Sequence, residues 1–321
     1  MKKVLVTGAC GYLGARLSLY LAESGYSVTA FDSYNPSTHI QWISLMDDVI
    51  IGDIRDELTI SNLVEKRFDI AVHLISLDHY KSEADPEYVS SINVLPTWNM
   101  LDKLTKNGLE KFIYFSTVHV YGNLPRKIIS EDLKTNPSSA YGLTHLLSEN
   151  LCNYYHENTK TDCINVRLSN SYGSPTFKEN NCWRLVINDF CKAAYEKNKI
   201  IINSDGSPQK DFIHGDDVVK AIDILITAKI SDRNNVYHIA SGKSLTILEL
   251  AHIVKEVYSK RYNIDVDIIL QDNSISKKLK IFDDIERYSF STKKLDKLGY
   301  KINTELHSGI DEIFQYLESF S

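Results

Sequence analysis

The stretch Val4-Leu5-Val6-Thr7-Gly8-Ala9-Cys10-Gly11-Tyr12-Leu13-Gly14 decides the fold of this chain. A short apolar run ends at Thr7, glycines follow at Gly8, Gly11 and Gly14, and a segment of helical periodicity begins at once. Glycines at this spacing permit a tight turn and bring the backbone close to a pyrophosphate at the positive end of the helix. The stretch therefore predicts a strand, a turn and a helix that together bind a dinucleotide.

Short apolar runs alternate with longer segments of helical periodicity through the first half of the chain. This alternation is typical of a parallel sheet with helices on both faces, because each helix must cross back over the sheet before the next parallel strand. The predicted fold class is α/β, a Rossmann-type doubly wound parallel sheet with a smaller C-terminal α/β substrate domain. We expect strands at Lys3–Thr7, Ser27–Phe31, Val49–Gly52, Ile70–Leu74, Lys111–Ser116 and Cys163–Leu168, and helices at Gly11–Ser24, Glu57–Lys66, Pro86–Lys106 and Tyr141–Asn158.

The alternating pattern loosens after about Tyr172, which suggests a domain boundary. Two loop-like stretches, Gly173–Asn181 and Asn203–Gln209, lie on either side of a helical segment at Trp183–Glu196. A strand and a helix near Asp211–Ala228 are compatible with the first sheet, so the first domain can consist of two separate segments of the chain. We expect a cofactor-binding domain of residues 1–171 with a returning segment at about 211–240, and a substrate domain of residues 172–210 and 241–321.

Composition and charge argue against several classes of function. The 321 residues carry a formal net charge of −6 without a lysine- or arginine-rich block, so nucleic acid is not an expected partner. The five cysteines lack Cys-x-x-Cys spacing, which argues against a disulfide framework and a zinc site. No long apolar stretch follows Met1, so we expect a cytoplasmic protein without a membrane segment.

An acidic residue follows the second expected strand, where Ala30-Phe31-Asp32 lies eighteen residues beyond Gly14. A carboxylate at this point of a dinucleotide-binding domain can accept hydrogen bonds from the hydroxyls of the adenosine ribose. It would also repel a 2′-phosphate. We therefore expect NAD as the cofactor rather than NADP.

Further motifs follow the glycines along nearly the whole chain. They are Gly52-Asp53-Ile54-Arg55-Asp56, His73-Leu74-Ile75-Ser76, Phe115-Ser116-Thr117-Val118-His119-Val120-Tyr121-Gly122, Tyr141-Gly142, Arg167-Leu168-Ser169-Asn170-Ser171-Tyr172-Gly173 and Asp211-Phe212-Ile213-His214-Gly215-Asp216-Asp217. In order and approximate spacing this set resembles the extended short-chain dehydrogenase/reductase family. The resemblance implies an enzyme that uses NAD and acts on a sugar attached to a nucleotide.

The resemblance also implies roles for individual residues. Asp53 and Ile54 are expected beside the adenine, and Asn93 is expected to steady the helix behind the active site. Asn170 is expected near the nicotinamide or the substrate, and Asn181 at the diphosphate of the substrate. The remaining motif residues expected at the cofactor are Tyr12, Leu13, Leu74 and Ser76, and those expected at the substrate are Thr117, Val118 and His119.

Hydride transfer from a sugar carbinol requires a base for the hydroxyl proton and a donor that holds the oxygen. By resemblance, Tyr141 is the base and Thr117 is the donor. A free tyrosine has a pKa of about 10, so its surroundings must favour the anion. The family places a lysine four residues after this tyrosine, whereas this chain has His145. A neutral imidazole can bond a ribose hydroxyl but supplies no permanent charge.

The presence of His145, where the family has a lysine, leaves three interpretations open. The protein is a working enzyme with an altered pH profile, an enzyme that turns over slowly or holds its cofactor tightly, or a catalytically silent relative that binds NAD. The retained Tyr141 and Thr117 argue against the last of these. We therefore count Tyr141, Thr117 and His145 as the expected catalytic residues, and expect Tyr141 and His145 to contact the cofactor as well.

The residues after Thr117 bear on the reaction. By resemblance, relatives that carry out 4,6-dehydration have an acidic pair directly after the threonine, whereas this chain has Val118-His119. A dehydratase is therefore disfavoured. The expected chemistry is redox at one carbinol of the sugar, most naturally C4, in a 4-epimerase or a 4-dehydrogenase. A 4-ketoreductase, a 4,6-dehydratase and a non-catalytic NAD-binding relative stay open as alternatives.

Two basic residues are candidates for the phosphates of the substrate. Lys210 stands where the family usually has an arginine, so it can hold a phosphate as a point charge but not with a bidentate fork. Arg287, in the expected C-terminal domain, is either a second phosphate contact or a solvated surface arginine.

We expect no metal and a homodimer. The run His214-Gly215-Asp216-Asp217 is better explained by aspartates that begin a helix, where the helix dipole favours them, than by metal ligands. The dimer is implied by the resemblance, through the helices at Pro86–Lys106 and Tyr141–Asn158. The apolar residues expected at that interface are Val94, Leu95, Trp98, Leu101, Leu143, Leu146, Leu147 and Leu151.

Overall fold

The computed structural model of the protein describes residues 1–83, 85–125, 127–229, 235–271 and 286–319. The strands in these ranges are β1 Lys3–Thr7, β2 Ser27–Asp32, β3 Asp48–Ile51, β4 Ile70–His73, β5 Lys111–Thr117, β6 Ile128–Ile129, β7 Asp162–Leu168, β8 Asn170–Tyr172, β9 Lys199–Ile202, β10 Gln209–His214, β11 Val236–Ile239, β12 Ser244–Thr246, β13 Asp267–Leu270 and β14 Ser289–Phe290. The helices are α1 Tyr12–Glu23, α2 Ile40–Ile43, α3 Glu57–Glu65, α4 His79–Ser82, α5 Pro86–Asn93, α6 Leu95–Lys106, α7 Ala140–Asn158, α8 Val186–Lys197, α9 Gly215–Thr227, α10 Ile247–Tyr262, α11 Lys293–Asp296 and α12 Leu306–Glu318.

A seven-stranded parallel sheet organises the molecule, in the order β11-β7-β5-β4-β1-β2-β3. Alternate residues of β1 face opposite sides of this sheet, so that Val4 and Val6 pack with α1 and α9 while Leu5 packs with α3 and α6. The strand order reverses at β1, which pairs with β4 on one side and β2 on the other. Ligands of doubly wound sheets bind at such a reversal, outside the carboxyl ends of the strands. The expected Rossmann-type α/β class is confirmed.

A second hydrophobic core lies around α8, α10 and α12 and contains Phe190, Leu250 and Phe314. The three-stranded sheet β12-β10-β8 borders it, with β10 parallel to β8 and antiparallel to β12. The segment at about 211–240, which was expected to return to the first sheet, therefore contributes to both sheets, and the change occurs after His214. Its strand β10 belongs to the small sheet, whereas α9 packs on α1 and β11 joins the large sheet. The Asp211 carboxylate anchors β10, because it accepts hydrogen bonds from Ser169, Ser241 and Lys243.

The helix expected over Pro86–Lys106 is two helices, α5 and α6, which meet at Val94. Pro96 explains the break. It has no N–H for the carbonyl one turn earlier, and its ring disfavours the helical conformation of the residue before it. Apolar side chains on the outer face of this region are exposed, notably Leu95, Trp98, Leu143 and Leu147, whereas Leu101 is fully buried in the core and is not available to a partner. The homodimer stays a prediction.

All five cysteines are buried and free of disulfides. Among the helices of the described ranges, none combines the length and the apolar character that crossing a membrane requires.

A buried ion pair joins the large sheet to α7. Arg167 on β7 donates to both carboxylate oxygens of Glu149 on α7, from Nε at 3.0 Å and from Nη2 at 2.7 Å. The Nη1 group donates to the Tyr121 hydroxyl at 2.8 Å. Glu149 also accepts a hydrogen bond from Ser116, which directly precedes Thr117 at the end of β5. The pair thus fixes the end of β5 against α7.

We expect the substitution Arg167→Met to lower the free energy of unfolding by about 3–5 kcal/mol, because Glu149 would keep a buried charge without a partner. Urea unfolding followed by circular dichroism measures the loss. The double variant Arg167→Met/Glu149→Leu removes both charges and should recover most of the stability. A single variant as stable as the wild type would show that the ion pair is dispensable.

Candidate active site

The glycine turn after β1 has the geometry that the sequence predicts. Gly8 has a φ of +73°, a region that glycine adopts far more readily than other residues. A Cβ atom at Gly14 would collide with the carbonyl oxygen of Gly8, so α1 can pack this closely only because position 14 is glycine. Gly11 caps the first turn of α1 without a side-chain hydrogen bond. The N-terminus of α1 therefore faces an open space at the edge of the sheet.

A cavity of about 800 Å³ extends from this turn past the ends of β2 and β3. The Asp32 carboxylate is held in its wall by the backbone, with Oδ2 accepting from Cys10 N at 2.8 Å and Oδ1 from Tyr34 N at 2.9 Å. The expected cofactor residues that line this cavity are Gly8, Gly11, Tyr12, Asp32, Asp53, Ile54, Leu74, Ser76 and Tyr141.

Asp53 is less available to a ligand than the sequence suggests. Its carboxylate is paired with the Arg55 guanidinium, with Arg55 Nε at 2.9 Å from Oδ1. This hydrogen bond lowers the pKa of Asp53, so its negative charge is stabilised. Ile54, next to it, is buried in the wall of the cavity.

A second cavity, of about 410 Å³, adjoins the first at the carboxyl ends of β4, β5 and β7. The two cavities share residues of the glycine turn together with Leu74, Ser76 and Tyr141. The expected residues that line the smaller cavity are Gly8, Gly11, Tyr12, Leu13, Gly14, Leu74, Ser76, Thr117, Val118, His119, Tyr141, His145 and Asn170. The structure therefore brings the expected catalytic residues to one wall.

Tyr141 and Thr117 meet at this wall, although they lie on different elements. Thr117 ends β5, and Tyr141 lies in the first turn of α7, whose N-terminus is capped by Ser139 accepting from Gly142 N. Burial raises the pKa of Tyr141 above its ordinary value, and the nearby Asp78 carboxylate raises it further. A hydrogen bond with the Thr117 side chain acts in the opposite direction and lowers that pKa.

His145 lies one helical turn after Tyr141, with the two ring centres 4.6 Å apart. It is only 2% exposed, and burial lowers its pKa to about 3, so the imidazole is neutral at pH 7. Its Nδ1 shares a hydrogen bond of 2.9 Å with the Tyr114 hydroxyl. In the described part of the protein its Nε2 has no partner. His145 therefore offers a hydrogen-bonding nitrogen to the cavity but no positive charge.

Two further histidines lie around Tyr141. The rings of His119 and His79 lie 5.7 Å and 6.0 Å from the Tyr141 ring, centre to centre. Burial lowers the pKa of His119 to about 4, and the charge of Lys210 acts in the same direction. His119 is therefore neutral at pH 7 as well.

Besides Asp32, Asp53 and Ile54, four expected residues are absent from the lining of the smaller cavity. Asn93 is buried behind it, where its amide donates to Thr144 on α7 at 3.0 Å and accepts from Leu77 N at 2.8 Å. Asn93 thus links α5 to α7 and lines neither cavity, so it does not contact the cofactor site, and its steadying role stays a prediction. Asn181 lines the larger cavity instead. Lys210 lies near His119 but lines neither cavity.

Arg287 is not a free guanidinium. It donates to both carboxylate oxygens of Glu249, at 3.0 Å and 2.5 Å, and to the carbonyl of Ser244. Glu249 in turn forms the capping box of α10 with Thr246, so this ion pair is part of the helix terminus.

Several residues that line the smaller cavity are not predicted by any of the sequence motifs. Asp78 and His79 follow the His73–Ser76 motif and line the smaller cavity, as any residue just beyond a parallel strand can. Arg184 and Leu185 lie between Asn181 and α8, in a segment that was expected only as helix. Their position a few residues after Asn181, which the resemblance places at the substrate, could have indicated that they lie near the site.

His214, Asp216 and Glu312 lie close enough together to hold a metal ion, with their ligand atoms within 4.8 Å of one another. The Arg16 guanidinium already binds Asp216 and lies 3.5 Å from Glu312. This cation balances the carboxylates of the cluster.

The chain resembles known proteins over most of its length. The model of the NAD dependent epimerase/dehydratase family matches residues 4–240. The dTDP-L-rhamnose 4-epimerase of Burkholderia thailandensis is 25% identical over 299 residues, which cover 80% of this chain and 81% of the relative. The human dTDP-D-glucose 4,6-dehydratase is 25% identical over an alignment 340 residues long, which covers 99% of this chain and 91% of the relative.

A solved structure shares the fold. UDP-glucuronic acid 4-epimerase from Bacillus cereus, in complex with UDP-glucuronic acid and NAD, superposes with a TM-score of 0.82 at 24% identity over 99% of this chain and all of that one. The family match spans the glycine turn, Tyr141 and both cavities described above. The chain therefore belongs to the NAD dependent epimerase/dehydratase family, and its cofactor is NAD.

Proposed function

We propose that the protein is a nucleotide-sugar 4-epimerase, which oxidises the C4 carbinol of the sugar and reduces the ketone on its other face. One observation carries the proposal: the hydroxyls of Tyr141 and Thr117 meet at a cavity that adjoins the glycine turn. The 4-epimerases among the relatives and solved structures support it.

The residues present fit NAD. The close approach of α1 to the turn leaves room for a pyrophosphate at Gly11, and Asp32 offers its carboxylate to the adenosine ribose. The unpartnered Nε2 of His145 offers a hydrogen bond to the nicotinamide ribose. When bound, the cofactor supplies an acceptor and then a donor of hydride.

The side chains of the smaller cavity supply the acid and base. Tyr141 takes the proton of the C4 hydroxyl as the carbinol is oxidised and returns it as the ketone is reduced. Thr117 donates a hydrogen bond to the same oxygen and holds it in place. Because no permanent cation adjoins Tyr141 at His145, the phenol keeps its raised pKa. We therefore expect turnover to rise with pH through and beyond neutrality.

A 4,6-dehydratase is the competing function, since several relatives carry that name. Its chemistry requires an acid that protonates a leaving hydroxyl and a base at the neighbouring carbon. Val118 has no ionisable group, and His119 is neutral at pH 7 because burial lowers its pKa to about 4. The residues directly after Thr117 therefore favour the epimerase.

A sugar labelled with deuterium at C4 tests the proposal. UDP- and dTDP-linked hexoses, including UDP-glucuronic acid, are incubated with the NAD-loaded protein and analysed by NMR. An epimerase gives the C4 epimer with deuterium retained at C4, a 4,6-dehydratase gives a 4-keto-6-deoxy sugar with deuterium at C6, and a dehydrogenase accumulates a 4-ketosugar. Only the first product agrees with the proposal. The variant Tyr141→Phe should lose about 10²–10⁴-fold in turnover.

The substitution His145→Lys should move the rising limb of the pH–rate profile to lower pH by roughly 1–3 units, because a cation beside Tyr141 lowers the pKa of the phenol. The rate measured from pH 5 to pH 10 under saturating substrate gives the shift. The neutral variant His145→Gln is the control and should keep the wild-type limb. If the lysine and glutamine variants have the same limb, position 145 does not tune Tyr141.

The substitution Asp32→Asn should weaken NAD binding by about 10–100-fold and reduce the preference for NAD over NADP, because the carboxylate both accepts from the ribose and repels a 2′-phosphate. Fluorescence titration with NADH and NADPH measures both effects. Asp47→Asn, at an exposed position outside the cavities, is the matched control. An unchanged ratio of the two affinities would contradict the role of Asp32.

A further inference from the structure

The ring of His145 is joined to a chain of buried hydroxyl groups. Its Nδ1 shares a hydrogen bond of 2.9 Å with the Tyr114 hydroxyl, and both side chains are almost fully buried. The Tyr114 hydroxyl is also hydrogen-bonded to Ser148, whose Oγ donates to the carbonyl oxygen of Asn93 at 2.9 Å. The chain of hydrogen bonds thus runs from the imidazole through two hydroxyls to a main-chain carbonyl, which can only accept.

The carbonyl at the end of this chain fixes the direction of each hydrogen bond. Ser148 gives its single proton to Asn93, so its oxygen can accept the proton of Tyr114. Burial raises the pKa of Tyr114 well above its ordinary value, so this hydroxyl stays protonated and has one proton to give. With that proton directed at Ser148, the Tyr114 oxygen accepts from His145, and the imidazole proton lies on Nδ1.

The opposite direction forms fewer hydrogen bonds. If Tyr114 gave its proton to Nδ1, Ser148 could donate to Asn93 or to Tyr114 but not to both, so two bonds would form instead of three. Buried polar groups without a partner are costly, and the direction with three bonds is therefore favoured. The Phe115 carbonyl also lies near the ring, but it does not bond Nε2, which has no partner among the described residues.

We propose that Tyr114 and Ser148 are positioning residues that hold His145 with its proton on Nδ1, so that Nε2 meets the cofactor as a hydrogen-bond acceptor. The lysine that the family has at this position can only donate. The polarity of the contact is therefore reversed, and a hydroxyl of the nicotinamide ribose must donate its proton to Nε2. The position of the imidazole proton is independent of the proposed function, whereas the contact with the ribose rests on it.

NMR of the NAD-loaded protein with isotope-labelled histidine tests where the proton lies at pH 7. The variant His145→Gln identifies the signals of this ring among those of the ten histidines. The wild type should carry the proton on Nδ1. Ser148→Ala removes the acceptor of the Tyr114 proton, which should then turn to Nδ1, so that the imidazole proton moves to Nε2.

Ser18→Ala is the matched control, because Ser18 is also fully buried and donates to a main-chain carbonyl. It should leave the proton of His145 on Nδ1. Tyr114→Phe is a second test, because a buried N–H at Nδ1 would have no acceptor and the proton should again move to Nε2. A wild-type ring with its proton on Nε2 would overturn the inference, and so would a proton that stays on Nδ1 in both Ser148→Ala and Tyr114→Phe.

Binding of cofactor analogues tests the polarity of the contact. Fluorescence titration compares NADH with analogues that carry fluorine in place of one hydroxyl of the nicotinamide ribose, because fluorine cannot donate a hydrogen bond. One analogue should bind the wild type about 10–100-fold more weakly than NADH. The loss should be smaller in Ser148→Ala, where Nε2 carries the proton and donates.

The outcomes separate this inference from the epimerase. Equal affinities of the wild type for NADH and all the analogues would overturn the acceptor contact even if the protein epimerises its substrate. A proton on Nδ1 together with a weakened analogue, in a protein that converts no labelled sugar, would instead sustain the inference and remove the epimerase.

Discussion

The position of Thr117 relative to Tyr141 depends on how β5 is held against α7. These two elements carry Thr117 and Tyr141, and they are far apart in the chain. The buried pair of Arg167 and Glu149, with Ser116 bonded to the same carboxylate, fixes their relative position. Desolvated charges are costly unless both are paired, so the geometry that pairs them is strongly selected over its alternatives. The arrangement of the hydroxyls is therefore a consequence of an ion pair that contacts neither cavity.

The charges around Tyr141 differ from those that the family's lysine at position 145 would provide. Three histidines lie around Tyr141, and two of them, His119 and His145, are neutral at pH 7 because burial lowers their pKa values. These two imidazoles thus provide hydrogen-bonding nitrogens beside Tyr141 but no positive charge. The ionisation of Tyr141 is therefore opposed by burial and by Asp78, and among the protein groups the hydrogen bond with Thr117 favours it.

The sequence predicted the structure best where residues close together in the chain determine it. The glycine turn, β1 and α1 follow from residues within a short stretch, and the carboxyl ends of β1, β2 and β5 bring Asp32 and Thr117 to the same edge. The sequence predicted the structure less well where contacts between distant parts of the chain determine it. Nothing local to Arg287 indicates that Glu249 engages it, and nothing local to β10 assigns it to the small sheet. The break at Val94 could have been predicted, because Pro96 stands two residues after it.

The chain passes between its two hydrophobic cores at several short connections: from β7 to β8, from β10 to α9, and from β11 to β12. Each connection is too short to act as a linker. Two bodies joined at one point can rotate about it, whereas two bodies joined at several separated points have little freedom to do so. Rotation of the second core as a rigid body away from the large sheet is therefore restrained by these connections.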